Sequence, residues 1–276
     1  MRQLLLTFLL LASVFIAPAQ IVGDMDDESK LYAQSKQVNQ FFRRFNGEED
    51  EKGERYYPSD KLYRSVKLRR KYLGVLFDGS NTGITNDLKT GFTKDVLDKA
   101  EPGLLDFHGS DWFSEIQTTF TLNGKDIPVT LFMELEKDHL GYKWVINKIH
   151  SQAFERYFNR DTTKIGKFLH PLSHELDFMN LRKAFSETDS ISQFTAKRFV
   201  PDQLSVFLYE ISKGTMKFKS VQDVKFHFFQ IEGWYFELAD FNRPGYNTGW
   251  LISSLVKIKG PAEKELLRKH LLYESR

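Results

Sequence analysis

Along residues 31–45 the apolar side chains Val38, Phe41, Phe42 and Phe45 recur at i, i+3, i+4 and i+7, which gathers them on one helix face. Gly47 supplies a stop, and the charged run 48–54 reads as a solvated loop. A second helix is predicted over 59–77, opening at Ser59 and Asp60. Its inner side would carry Leu62, Val66 and Leu73, and its wet face Arg64, Lys67, Arg69, Arg70 and Lys71. After a turn-rich stretch over 78–85, a short helix over 93–99 closes at Pro102 and Gly103. From Trp112 the period changes to two. Residues 112–122 alternate, Asn123-Gly124 signals a two-residue hairpin, and 127–136 alternate again with Val129, Leu131, Met133 and Leu135 on one side. A third strand over 142–149 places Trp144 and Ile146 on one face and Val145 and Ile149 on the other. Both sides of that sheet are therefore partly apolar.

The order then restarts. Residues 151–168 mix helical and linker features, and 171–185 read as a helix with Phe178, Leu181 and Phe185 on one face. A short helical stretch over 191–199 is followed by a helix over 201–213, opening on Pro201 and stopped by Gly214. Strands are predicted over 216–221, 224–231, 234–241 and 250–258, with a long turn over 242–249. A polar terminal helix starts at Gly260-Pro261. Three short echoes support a repeat. Val38, Phe41 and Phe45 are spaced like Phe178, Leu181 and Phe185. Met133-Glu134-Leu135 resembles Phe236-Glu237-Leu238, and Trp144-Val145-Ile146 resembles Trp250-Leu251-Ile252. The predicted fold class is α+β, with helices packed on curved antiparallel sheets in two similar domains in tandem. These occupy 31–150 and, more briefly, 171–258, with a linker over 151–170 and a tail over 259–276.

Helices followed by a meander whose last strand opens Gly141-Tyr142-Lys143-Trp144, and again Gly249-Trp250, resemble the nuclear transport factor 2-like superfamily. That resemblance implies helices folded against a bent sheet to form a cone with a pocket. Some members are isomerases or dehydratases with Asp, Tyr or His inside the cone, and others bind ligands or dimerise through the sheet. No local motif carries the family's catalytic residues onto this chain.

The first residues add a destination. Met1-Arg2-Gln3, an apolar run over 4–17 and Ala17-Pro18-Ala19 have the parts of a secretory signal, with cleavage expected between Ala19 and Gln20. The run is shorter than the roughly 20 residues a membrane span needs. Residues 20–30 read as a flexible acidic leader, and the exported product as periplasmic or extracellular. With no cysteine, disulfides and thiolate chemistry are excluded, so the core alone must hold the fold. Aromatics make up 14% of the chain, enough to supply that core. A net charge of +2 offers no single-sign field for nucleic acid.

Candidate chemistry is sparse. Gly79-Ser80-Asn81-Thr82-Gly83 has its Ser in the wrong place for a nucleophile elbow, and no phosphate-loop spacing occurs. His170 and His174 have metal-ligand spacing, but Pro171 between them and the lack of a third ligand argue against a metal. No metal or cofactor is expected. His108, between Asp106 and Asp111, could be tuned as a general base, although a polar loop is the favoured reading. His227, between Phe226 and Phe228, reads as a core histidine with a hydrogen-bond partner. Tyr142, Trp234, Tyr235 and Tyr246 sit beside turns, where amphipathic aromatics serve recognition. The leading expectation is an exported, non-catalytic protein that offers a pocket or sheet face to a small ligand or protein partner, with a homodimer also allowed. A cell-envelope assembly component comes second. A cone-fold enzyme using Asp106, His108, Glu134 or Glu237 comes third.

Overall fold

The computed structural model describes residues 37–50, 52–139, 141–155, 185, 195–196, 202–244 and 247–274. The expected signal, the leader, most of 151–201, His170, His174 and Tyr246 lie outside the described residues.

These residues form two compact units, one reaching Leu76 and including Phe241–Leu251, the other comprising Phe77–Asp240 and Ile252–Arg276. The first contains α1 (Val38–Asn46) and α2 (Val66–Val75). Phe41, Phe42 and Phe45 are buried, as their spacing predicts. Gly47 caps α1 at φ 71°, where a Cβ would lie 2.8 Å from Arg69 Cγ. The α2 helix starts later than predicted. Asp60 accepts from the Tyr57 N–H in a turn of its own, Arg64 adopts φ 53°, and Ser65 is the true N-cap, accepting from Leu68 N. Leu62 and Val66 are consequently exposed, and only Leu73 of the predicted inner face is buried. Arg69, expected on the wet face, is buried because its Nε donates to the Phe45 carbonyl near the end of α1. Positive charge there complements the helix dipole. Burial lowers the Arg69 pKa to about 10, aided by repulsion from Arg64. Glu49 is fully buried and held by Arg43 Nε at 2.8 Å, Arg44 Nε at 3.1 Å and Gln40 Nε2 at 2.9 Å.

The second unit carries most of a single six-stranded sheet ordered β3-β2-β1-β4-β5-β6. Its strands are β1 (Trp112–Leu122), β2 (Lys125–Asp138), β3 (Gly141–His150), β4 (Met216–Phe228), β5 (Trp234–Phe241) and β6 (Gly249–Lys257). The sequence predicts two sheets; the two meanders instead join edge to edge, β1 pairing antiparallel with β4 from Trp112↔Phe228 to Leu122↔Met216. Asn123 and Gly124, at φ 49° and 80°, make the predicted hairpin turn. The two strands expected over 216–221 and 224–231 are joined in one, Met216–Phe228, because a bulge at Gln222 in the β1–β4 ladder absorbs the polar Gln222-Asp223 step, with a second bulge at Lys219. A bulge between β2 and β3 makes a second correction. Met133 pairs with Ile146 while Leu131 pairs with Ile149, so Ile149 shares a face with Ile146 and Trp144.

That face carries Phe120, Val129, Leu131 and Ile149, packed with Phe154 of α4 (Gln152–Glu155) and Phe207 of α5 (Gln203–Ser212). The α3 helix (Asn86–Val96) is capped by Thr85, earlier than the predicted start, and sends Phe92 edge-on against Phe77, Trp234 and Phe236. On the opposite face Phe113, Phe132, Phe229, Tyr235 and Ile258 form a cluster. It is covered by Leu267 and Leu271 of α6 (Pro261–Leu271) and by Leu272. None of the described helices is long and apolar enough to cross a membrane.

Candidate functional site

The first candidate grows from the turn before β1. Gln230 pins this turn from the end of β4: its Nε2 donates to the carbonyls of Asp106 at 2.8 Å and Ser110 at 2.9 Å, and its Oε1 accepts from Asp106 N at 3.0 Å. Asp106 Oδ1 accepts from His108 N at 2.9 Å, a local turn bond that occupies one carboxylate oxygen. Gly109 fits because a Cβ there would come within 3.0 Å of Asp106 Cβ. So braced, the turn lays the His108 ring on Tyr142 of β3, with centroids 4.3 Å apart and planes tilted by 28°. Phe107 bridges to Trp112 at 5.3 Å, and Trp112 meets Trp144 edge-on at 5.4 Å. Trp112 in turn stacks on Phe228, and Phe228 on Phe236. An unbroken aromatic row thus runs from the core to the rim of the sheet, where Tyr142 and Trp144 are 44% and 40% exposed. Of the residues singled out from sequence, Asp106, His108 and Tyr142 come together here.

Trp234 and Tyr235 do not join them, and neither is exposed as its place beside a turn suggests: they are 2% and 4% accessible. The β5 strand is interior to the sheet and covered on both faces. Trp234 packs against Phe92 and donates from Nε1 to Asp95 Oδ2 at 3.0 Å. It still contributes to the wall of an open groove of about 470 Å³, with Asp111, Glu232, Lys259 and Lys264.

Tyr235 belongs to the second candidate, a polar network on the face under α6. His227 Nε2 lies 3.0 Å from Glu115 Oε2, and its Nδ1 lies 2.9 Å from the Tyr235 hydroxyl. An ionised carboxylate only accepts, so Nε2 carries a proton toward Glu115. Beside them Lys225 faces Glu237 at 3.5 Å, and Ser253 Oγ donates to Glu237 Oε1 at 2.7 Å. Burial alone would raise the Glu115 pKa; hydrogen bonds from His227 and Gln117 and the charges of His227 and Lys225 outweigh it and hold the carboxyl below 4.5. Burial, with Glu237 and Glu115 nearby, raises the Tyr235 phenol far above its usual 10. The trio looks like an acid–base relay, but His227 is 1% exposed and both ring nitrogens are engaged. It closes a polar gap in the core and gives a substrate no reacting atom to meet. This is the partnered core histidine that its apolar neighbours predict. Glu134 is tied to Arg268 at 3.3 Å, and Glu237 to Ser253 and Lys225. Among the described residues no group of three or more His, Asp and Glu could hold a metal.

Sequence reading missed Phe107 and Trp112 as supports of the rim and Glu115 as the partner of His227. A signal for the first existed: Trp112 begins one alternating run and Trp144 lies near the start of another, both on the apolar face. None existed for the second, because Glu115 and His227 are 112 residues apart. Compared with protein-family models, with curated proteins and with solved structures, the chain gives no match.

Proposed function

We propose that this chain is an exported, non-catalytic interaction protein that takes up an extended peptide segment of a protein partner along the outer edge of β3. The observation that carries this reading is the open rim. The β3 strand ends the sheet, and among the described residues no strand pairs with its outer side. Residues 141–144 are exposed. Such an edge offers main-chain donors and acceptors for affinity, and its alternating side chains offer selectivity. Tyr142 and Trp144 are those alternating side chains, already ordered by His108 and Trp112, so little side-chain entropy is lost on binding. Export rests on residues 1–19 and is checked by N-terminal sequencing, which should begin at Gln20. The same reading treats the two meanders as related units, the second shorter, in the manner of the nuclear transport factor 2-like resemblance. Two echoes favour it, since they fall on matching strands, β2 with β5 and β3 with β6.

The test is selection of peptides from a random display library against the purified chain. Selected peptides should lose at least tenfold in affinity on Trp144→Ala or Tyr142→Ala, and should fail to bind when N-methylated at alternate residues. A library that yields no binder, or binders indifferent to both substitutions, overturns the proposal.

A further inference from the structure

The sheet has a second open edge, inside its own middle. The β4 strand pairs with β1 along its whole length, but β5 covers its other side only at residues 225–228. Over 216–224, among the described residues, nothing pairs with that side. The uncovered half carries apolar groups on one face. Phe218 is 59% exposed and touches Phe120 edge-on at 5.5 Å, and Val221 is 51% exposed. The α5 helix, which touches β4, adds the exposed side chains of Leu208 and Ile211. At roughly 150–250 Å² for an aromatic side chain and less for an aliphatic one, these four half-exposed groups present on the order of 300–400 Å² of apolar surface. That is a large share of the roughly 800 Å² each partner contributes to a standard interface.

We infer that this half-strand is the interface at which two copies of the chain pair, antiparallel about Ser220, to join their sheets. The charge pattern chooses the occupant. Lys217 and Asp223 flank the half-strand three residues either side of Ser220, and both project on the face opposite Phe218 and Val221, as their partners Thr121 and Gln117 in β1 require. Asp223 accepts only from the adjacent Val224 N–H, and Lys217 makes no ion pair among the described residues. Self-pairing about Ser220 sets Lys217 of each copy opposite Asp223 of the other, twice by symmetry. It gathers Phe218 and Val221 of both copies on the other face. Lysines on an open strand normally block edge pairing. Here that barrier acts on foreign strands, because a second copy presents an aspartate where a lysine needs one. The surface is isologous, so the assembly closes as a dimer and does not propagate into a fibre.

Light scattering and sedimentation of the purified chain at tens of micromolar read the result. The wild-type chain should show twice the monomer mass. Lys217→Asp and Asp223→Lys should each be monomeric with the wild-type circular dichroism spectrum, since both sites are exposed, and should melt below the wild type because the stabilisation from dimerisation is lost. An equimolar mixture of the two variants should recover the dimer, because each then meets its opposite charge. A wild-type chain that stays monomeric up to about 1 mM overturns the inference. So does a dimer that survives both charge reversals, or a mixture that fails to reassociate.

Discussion

Trp234-Tyr235 and Tyr142-Lys143-Trp144 look alike as sequence: each follows a turn that contains glycine and each opens a strand. The protein treats them oppositely. Trp234 and Tyr235 enter a strand covered by α3 on one face and α6 on the other, and both are buried. Tyr142 and Trp144 enter the last strand of the sheet and face solvent across an aromatic row rooted in the core. The local pattern marks an amphipathic aromatic, and the position of the strand in the sheet decides whether it packs or recognises. Strand order is a long-range property, which is why the same reasoning succeeds for one pair and fails for the other.

That contrast is open to direct attack. Trp234→Ala removes a ring packed against Phe92 and leaves the Asp95 carboxylate without its indole donor, so a loss of about 3–5 kcal/mol is expected in chemical denaturation. Trp144→Ala should cost less than about 1 kcal/mol, because its ring is already half in water. Equal losses at the two sites would dissolve the comparison. Next in size is Tyr235→Phe, which leaves His227 Nδ1 buried without its hydroxyl partner; about 1–3 kcal/mol is expected in the same experiment. The mirror substitution at the rim, Tyr142→Phe, should leave stability within about 0.5 kcal/mol of wild type.

A finer effect concerns pH. His150, stacked on Tyr273 at 4.1 Å, has its pKa lowered below 6.5, first by burial and further by Lys148, against the pull of Glu155. The folded state then binds this proton more weakly than the unfolded chain, so stability present above pH 6.5 declines as pH falls below it. Glu115 acts in the same direction lower down. Its folded pKa is below 4.5, so its contribution is intact above that value and disappears as pH falls through the folded pKa. Melting temperature followed from pH 8 to pH 3 should fall in two stages. His150→Gln should remove the upper stage and Glu115→Gln the lower. A stage that persists in its own variant assigns it to another group. A similarly small effect is expected of Arg268→Ala. It breaks half-buried contacts to Asp111 and Glu134, both at 3.3 Å, and should cost no more than about 1 kcal/mol in chemical denaturation.

Much of the fold is legible along the chain. Alternation with Asn123-Gly124 specifies β1 and β2 closely, and Gly47, Gly214 and Pro261 mark real helix ends. What is not legible is what crosses between distant segments. Nothing local to Gln222-Asp223 reveals that a bulge against β1 lets β4 pass through them, or that β1 and β4 fuse two meanders into one sheet. Arg69 looks solvated until the end of α1 is placed beside it. At the rim, composition points to Tyr142 and His108 separately, but their stacking depends on Gln230, 122 residues beyond His108 in the chain.

Amide hydrogen exchange of β3 with and without a selected peptide bears most directly on the account. The edge reading expects the amides at 141–147 that face away from β2 to exchange freely in the isolated chain and to gain at least tenfold protection on binding, with Trp144→Ala abolishing the gain. Protection appearing elsewhere while these amides stay unchanged would contradict it.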